Sequence, residues 1–316
     1  MTTAIIGYGW VGKAMHTLFP DAVVYDRYVE PSASQARVNE CDVAFVGVPT
    51  PNKKWIADRI IFTDGSLPKT SGEGELDTSI VEEVIKWCEC PLIVIRSTVN
   101  PGDCDRWSRL YGKHIIMQPE YLGETVNHPM TEQKERPFLV IGGEPEDRKK
   151  LIDLYTTAYN ANIRIRQVSL MEAEVIKLSE NRAISYKVAQ CQELYDVCQL
   201  ANVDYYSVRD AVYGDDPRFN LWWTFVFPEK RGFNSKCIPK DVYAWCAWAE
   251  SLGYEPRITR ELLEKNKEWL ALVSNTTQAK PTCKHKFEQQ VGSFTERCIN
   301  CGLTNAEENH RSVESI

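Results

Sequence analysis

Short apolar runs rich in Val and Ile recur along the first half of the chain, and stretches with helical spacing separate several of them. Thr2 to Ile6, Val23 to Tyr25, Asp42 to Val48, Pro91 to Ile95, His114 to Met117, Phe138 to Ile141 and Asn162 to Val168 read as strands. An amphipathic helix carrying Val11, Met15, Leu18 and Phe19 ends before Pro20, another covers Ser79 to Cys88, and a third runs from roughly Glu146 to Tyr159. This alternation predicts an α/β fold built on a doubly wound parallel sheet over residues 1–168. The period then changes. Met171, Val175, Leu178, Ile184, Val188, Cys191, Leu194 and Val197 keep helical spacing from Ser169 to about Ala201. Helices are expected again from Val203 to Val212, from Val242 to Leu252 with Gly253 closing it, and from Ile258 to about Val273. Residues 169–273 thus read as an all-helical domain, 274–282 as a polar linker, 283–302 as a small knuckle and 303–316 as a disordered polar tail.

Composition narrows the classes. The 316 residues suffice for two domains with a small appendage, and 43% hydrophobic with 26% charged residues is ordinary for a globular protein. A net charge of -7 gives no electrostatic footprint for nucleic acid. No apolar run approaches the roughly 18 residues of a membrane span, and no signal peptide is expected before the first strand. Eleven scattered cysteines, odd in number, point to reduced thiols and a cytoplasmic location.

Gly7-Tyr8-Gly9-Trp10-Val11-Gly12 follows the first strand and opens a helix, and Asp26 ends the second strand. Three glycines in this context, with an acid roughly 20 residues beyond the first, form a dinucleotide-binding fingerprint and thus a Rossmann-type domain. Gly7 permits the tight turn, Gly9 admits the pyrophosphate, and Gly12 lets helix and strand approach. Asp26 would accept hydrogen bonds from a ribose diol and repel a 2'-phosphate, which favours NAD over NADP, although Arg27 lies beside it. Ligands of such sheets sit beyond the carboxyl ends of the strands. Thr50, Ser97, Thr98 and Glu120 occupy those positions. Lys177 and Asn181, four apart, share one face of the long helix.

Cys237 precedes Pro239, a favoured first residue of a helix, and is flanked by Lys236 and Lys240. The positive end of a helix dipole and two ammonium groups favour a thiolate, the nucleophilic form.

Several segments, taken in order, resemble the UDP-glucose/GDP-mannose dehydrogenase family across residues 2–273. They are the fingerprint at Gly7, Val46-Gly47-Val48-Pro49-Thr50-Pro51, Gly74-Glu75-Leu76-Asp77-Thr78-Ser79, Arg96-Ser97-Thr98-Val99-Asn100-Pro101-Gly102, Pro119-Glu120-Tyr121-Leu122-Gly123-Glu124, the run Ala173 to Asn181, and Cys237-Ile238-Pro239-Lys240-Asp241. The resemblance implies oxidation of a sugar or nucleotide-sugar primary alcohol to a carboxylate with two NAD. It implies Cys237 as the nucleophile of a thiohemiacetal and then a thioester, and Lys177 and Asn181 as oxyanion donors. Asp241 and Thr98 would position water, and Lys177 or a water on Asp241 would take the alcohol proton. Glu120 would be the base for hydrolysis. Tyr8, Trp10, Val11, Pro49, Thr50 and Ser97 would line the cofactor, while Tyr121, Leu122, Glu124 and Lys240 would face substrate. A homodimer through the long helix is also implied.

Two departures qualify the likeness. Asn234-Ser235 stands where the family has glycines ahead of the cysteine. The family's third, nucleotide-gripping domain is replaced by Cys283-Lys284-His285 and Cys298-Ile299-Asn300-Cys301, whose four N/S ligands suit a structural zinc. Two other classes fit part of the pattern. A two-electron hydroxy-acid or sugar-acid dehydrogenase would use Lys177 and Asn181 and leave Cys237 idle. A non-catalytic NAD-binding or scaffold protein would bind a partner through the zinc knuckle.

Overall fold

The structure is a computed structural model that describes residues 1–30, 32–53, 74–123, 130, 133–134, 136–159, 162–235, 237–274, 287–289 and 296–298. Among them lies a seven-stranded sheet: β1 (Thr3–Ile6), β2 (Val23–Tyr25), β3 (Val43–Val46), β4 (Leu92–Ile95), β5 (Ile115–Met117), β6 (Phe138–Gly142) and β7 (Arg164–Val168). The spatial order is β2-β1-β3-β4-β5-β6-β7. Every residue of β1, β3 and β4 is buried, as expected of strands covered on both faces.

All seven strands stand where the apolar runs predict them, but the sheet is not wholly parallel. β5 pairs antiparallel with β6 through Met117 and Gly142, and the other pairings are parallel. A parallel return needs a crossover, usually a helix. The connection between β5 and β6 has none among its described residues, and the strand comes back reversed.

Helices α1 (Trp10–Leu18), α2 (Gln35–Val38), α3 (Ser79–Trp87), α4 (Asp103–Tyr111) and α5 (Pro145–Tyr155) join the strands. Two apolar clusters form between them and the sheet. One gathers Ile6, Val46, Ile95, Trp107 and Met117, and the other Ile5, Phe45, Val94, Leu139 and Tyr155. Helix α4 escapes the sequence pattern because its apolar signal is sparse: only Cys104 and Trp107 are buried. Its punctuation is clear in retrospect, with Gly102 at φ 97° before it and Gly112 at φ 62° after it.

The 31-residue helix α6 (Leu170–Leu200) begins with a capping box. Ser169 N and Oγ donate to Glu172 Oε2 at 2.7 and 2.8 Å, and Glu172 N donates back to Ser169 Oγ at 3.2 Å. Next come α7 (Tyr205–Arg209), a π-helical turn over Asp210–Asp215, α8 (Ile238–Ser251) and α9 (Arg257–Ser274), then a hairpin of β8 (Phe287–Gln289) and β9 (Glu296–Cys298). No helix among the described residues is long and apolar enough to cross a membrane.

The chain divides into two units. The first holds Met1–Leu122, Met130–Arg182 and Lys240–Pro256; the second holds Ala183–Pro239 and the chain from Arg257 on. The boundary expected at residue 168 falls inside the first unit, because the start of α6 and most of α8 group with the sheet. Leu76, Leu178 and Ala244 pack together there, with Trp245 against them. The second unit centres on Cys191, Tyr205, Tyr206, Tyr213 and Val226. Arg231 bridges Gln192 and Asp196 in it, and Asn266 holds both backbone groups of Phe233.

A neck closes just past β3. Asn52 bridges to Leu76, Asn52 Nδ2 donates to the Gly74 carbonyl at 2.6 Å, and Lys53 pairs with Glu75 at 2.6 Å. Asn100 accepts from Leu76 N at 2.9 Å and donates to its carbonyl at 3.0 Å. Gly74 fits only because it lacks a side chain: a Cβ would lie 2.3 Å from the Tyr243 carbonyl.

Candidate active site

The order in which successive strands join the sheet reverses at β1, with β2 on one side of it and β3 on the other, and the fingerprint residues collect beyond that point. Gly7 has φ +90°, and a Cβ on it would come within 2.7 Å of the Gly47 carbonyl; one on Gly12 would lie 2.0 Å from the Gly7 carbonyl. Both must be glycine for the strand ends and α1 to meet. At Gly9 the case is different. A Cβ there meets nothing within 4 Å. Gly9 is the N-cap of α1, no side chain caps that end, and the first turn carries no acid. Uncapped backbone N–H groups facing open space suit the pyrophosphate of a dinucleotide.

Asp26 orders the loop: its Oδ2 accepts from Tyr8 N at 2.6 Å and its Oδ1 from Tyr28 N at 2.8 Å. Arg27 turns away to an exposed pair with Glu83. Trp10 is exposed and Val11 partly so, whereas Thr50 is buried. Pro49 lies on the surface. Ser97 ties β4 to the segment after β3, donating to the Val48 carbonyl at 2.7 Å, and Thr98 beside it is partly buried.

In the same unit, helices α6 and α8 bring further polar side chains together. Asn181 Nδ2 donates to Asp241 Oδ2 at 2.5 Å, and Lys240 Nζ donates to Asp241 Oδ1 at 2.5 Å. Asp241 is fully buried in the first turn of α8, so both carboxylate oxygens are spoken for. Lys240 is committed to this pair. One turn before Asn181, the Lys177 ammonium lies 5.2 Å from the Tyr121 ring centroid, a cation–π contact. Leu122 N donates to Glu120, alongside Tyr121 N.

Glu120 occupies a different setting from the one its position past a strand end suggests. It is buried and forms ion pairs with both Arg96 and Arg136. Gln133 Nε2 donates to it at 2.6 Å, and the backbone N–H groups of Tyr121 and Leu122 donate at 2.7 and 2.9 Å. Burial alone would push its pKa up, but the two guanidinium groups and the hydrogen bonds hold the carboxyl well below its ordinary value. A carboxylate bound this firmly as an anion has little basicity to offer; it fixes the Tyr121–Leu122 backbone.

Two carboxyls missed at the sequence level flank Lys177 on α6. Glu174 accepts from Gly102 N at 2.6 Å and Cys104 N at 2.9 Å, capping α4, and burial raises it to about 7. Glu180, three residues beyond Lys177, is also raised to about 7 by burial, against the pull of Lys177 and Tyr121. Ala-Glu-Val-Ile-Lys and Ser-Glu-Asn are visible as text, but nothing in their spacing marks Glu174 as buried or Glu180 as half-buried.

Cys237 belongs to the second unit, exposed and directly ahead of α8. Ser235 Oγ accepts from Ile238 N at 3.1 Å, a capping bond that gives the serine ahead of the cysteine a local role. Lys236 and Glu124 lie outside the described residues, as do Cys283, His285 and Cys301 of the expected zinc set; Cys298 ends strand β9.

Residues 171–268 match the central domain of the UDP-glucose/GDP-mannose dehydrogenase family. The chain is similar to a UDP-glucose 6-dehydrogenase of Rickettsia typhi, 25% identical over 222 residues that cover 66% of this chain and 49% of that protein. It is similar also to one of Haloferax volcanii, 26% identical over 84% of this chain and 69% of its relative. It therefore spans about half the length of the Rickettsia protein. Among solved structures, a UDP-glucose dehydrogenase of Pyrobaculum islandicum superposes with a TM-score of 0.68 at 22% identity, covering 84% of this chain and 68% of that one. The fold is shared.

Proposed function

We propose that this chain belongs to the UDP-glucose/GDP-mannose dehydrogenase family, whose central domain residues 171–268 match, and that it oxidises the primary alcohol of a sugar or nucleotide sugar to a carboxylate. One observation carries the reading most directly. The Lys177, Asn181 and Asp241 cluster and an open dinucleotide cradle belong to one unit, and Cys237 stands four residues before Asp241.

Two NAD, bound in succession, would each accept one hydride. The helix α1 N-terminus receives the pyrophosphate, and Asp26 favours the ribose diol. The chain's own residues do the rest. Lys177 and the Asn181 amide supply N–H donors to the oxygen that becomes negative as the alcohol and then the hemithioacetal are oxidised. Cys237 adds to the aldehyde to give a thiohemiacetal, and loss of the second hydride leaves a thioester. Water, oriented by Thr98 and Asp241, cleaves it and returns the thiol. In this reading Glu120 positions the loop at Tyr121 rather than accepting a proton.

NAD reduction by the purified protein across UDP-, GDP- and free sugars tests the proposal. Two NAD reduced per sugar, with Cys237→Ala unable to complete turnover, is the expected outcome. One NAD per substrate and no loss in Cys237→Ala would point to two-electron chemistry instead.

The same proposal includes a structural zinc at Cys283, His285, Cys298 and Cys301. Backbone pairing of Phe287 with Cys298 supports it, since the pairing sets both chain directions at one end of the hairpin. About one zinc per chain by elemental analysis, lost in Cys301→Ser, is expected.

A further inference from the structure

The proposed oxidation needs a group that takes the proton from the substrate hydroxyl as hydride leaves carbon, and most acids near the site cannot serve. Glu120 is bound by two arginines, Gln133 and two backbone N–H groups. Asp241 has one oxygen on Asn181 and the other on Lys240. Glu174 spends both oxygens on the N-terminus of α4. Each is an acceptor already filled, and a filled acceptor gains little from a proton.

Glu180 differs from all three. Its Oε2 is buried and makes no well-formed hydrogen bond among the described residues, and neither does the buried Tyr121 hydroxyl, which lies close enough to favour the charged form of Glu180 without saturating it. A carboxylate oxygen left unpaired in a buried setting is costly, and such groups call for an explanation. On α6, Glu180 stands three residues from Lys177 and next to Asn181, so helix geometry puts it beside the Lys177–Asn181 face. The charged and titratable groups that face it are Lys177 on its own helix and Tyr121 on the loop after β5. Tyr121 is in turn held by the Lys177 ammonium over its ring and by Glu120 through its backbone.

We propose that Glu180 is the proton acceptor of this site, its unpaired oxygen receiving the hydroxyl proton while Lys177 steadies the substrate oxygen. The proposal rests on the dehydrogenase reading above. In balance, the alcohol loses a hydride to NAD and a proton to Glu180, leaving aldehyde, reduced NAD and a neutral carboxylic acid. The proton then leaves to solvent, and the same transfer serves the thiohemiacetal hydroxyl in the second step. Burial raises Glu180 to about 7, which suits a base working near neutral pH. It also fixes the sign: activity should rise with pH through about 7 as Glu180 ionises.

Glu180→Gln keeps the volume and removes the base. Its kcat should fall by about 10²–10⁴, with KM changed only a few-fold, and the acid limb of kcat/KM should vanish. Glu180→Asp should keep that limb at reduced rate. A second readout needs neither sugar nor cofactor: infrared difference spectra of carboxyl groups between about pH 5 and about 9. Glu180 and Glu174 should both titrate near neutrality, and Glu180→Gln should remove one share while Glu174→Gln removes the other. An acid limb unchanged in Glu180→Gln, whether or not the rate falls, would overturn the proposal. So would an infrared titration that Glu180→Gln leaves intact. A wild-type protein inactive on every sugar would instead count against the dehydrogenase reading.

Discussion

Three fingerprint glycines that look alike in the sequence do different work. A Cβ on Gly7 or Gly12 meets backbone within 2.7 or 2.0 Å, but one on Gly9 meets nothing within 4 Å. Gly7→Ala, at a left-handed φ, should lose about 1–3 kcal/mol or more of stability. Gly9→Ala should fold with a loss of no more than about 1 kcal/mol, yet bind NAD at least about tenfold more weakly, because its methyl enters the cradle. Thermal melts beside calorimetric NAD titration separate the two. Equal NAD affinity in Gly9→Ala would remove the cradle from this end of α1.

Glu120 illustrates what the sequence hides. Its place after β5 was legible; its partners were not, since Arg96 and Arg136 lie 24 and 16 residues away and only folding unites them. Glu120→Gln leaves two buried guanidinium groups without their counter-charge and should cost about 3–5 kcal/mol in urea unfolding. The pH dependence follows from the depressed folded value. The ion pairs stabilise the fold above the ordinary value of 4.5, and that stability is lost as pH falls through the folded value. Wild type should therefore weaken on acidification more steeply than Glu120→Gln.

Among the elements, strands were the most legible. Runs such as Leu92 to Ile95 are apolar and β-branched throughout, and a strand buried on both faces needs no finer signal. Direction was not legible at β6, because the same residues make a parallel or an antiparallel strand and only the connection decides. Helix α4, with two buried residues, fell below the pattern altogether. Helix α6 was legible from its period, while the Ser169–Glu172 box that starts it emerged only from the structure. Ser169→Ala should weaken that end by about 1 kcal/mol, read as a lower melting temperature, and Ser169→Asp should restore most of it. Unchanged melting in Ser169→Ala would mean tertiary packing alone holds the start of the helix.

At the scale of the whole molecule, the far end of α6 leaves apolar side chains uncovered in this single chain. Leu200 is 89% exposed, Val197 55% and nearby Val203 45%. Surface of this kind is consistent with the homodimer that the family resemblance implies, and light scattering should give twice the mass of one chain. Leu200→Glu with Val197→Glu should then halve it. A monomeric wild type would detach this chain from that expectation.

The neck at Asn52 and Leu76 has a practical consequence. Two segments 22 residues apart are stitched side by side by Asn52 and Gly74, with Lys53 and Glu75 across them, and Asn100 holds Leu76 on both its backbone groups. A stitch of this kind is read most directly by amide exchange: in Asn52→Ala the N–H groups of Lys53 and Leu76 should trade with solvent sooner than those of β3, while the strands of the sheet keep their protection.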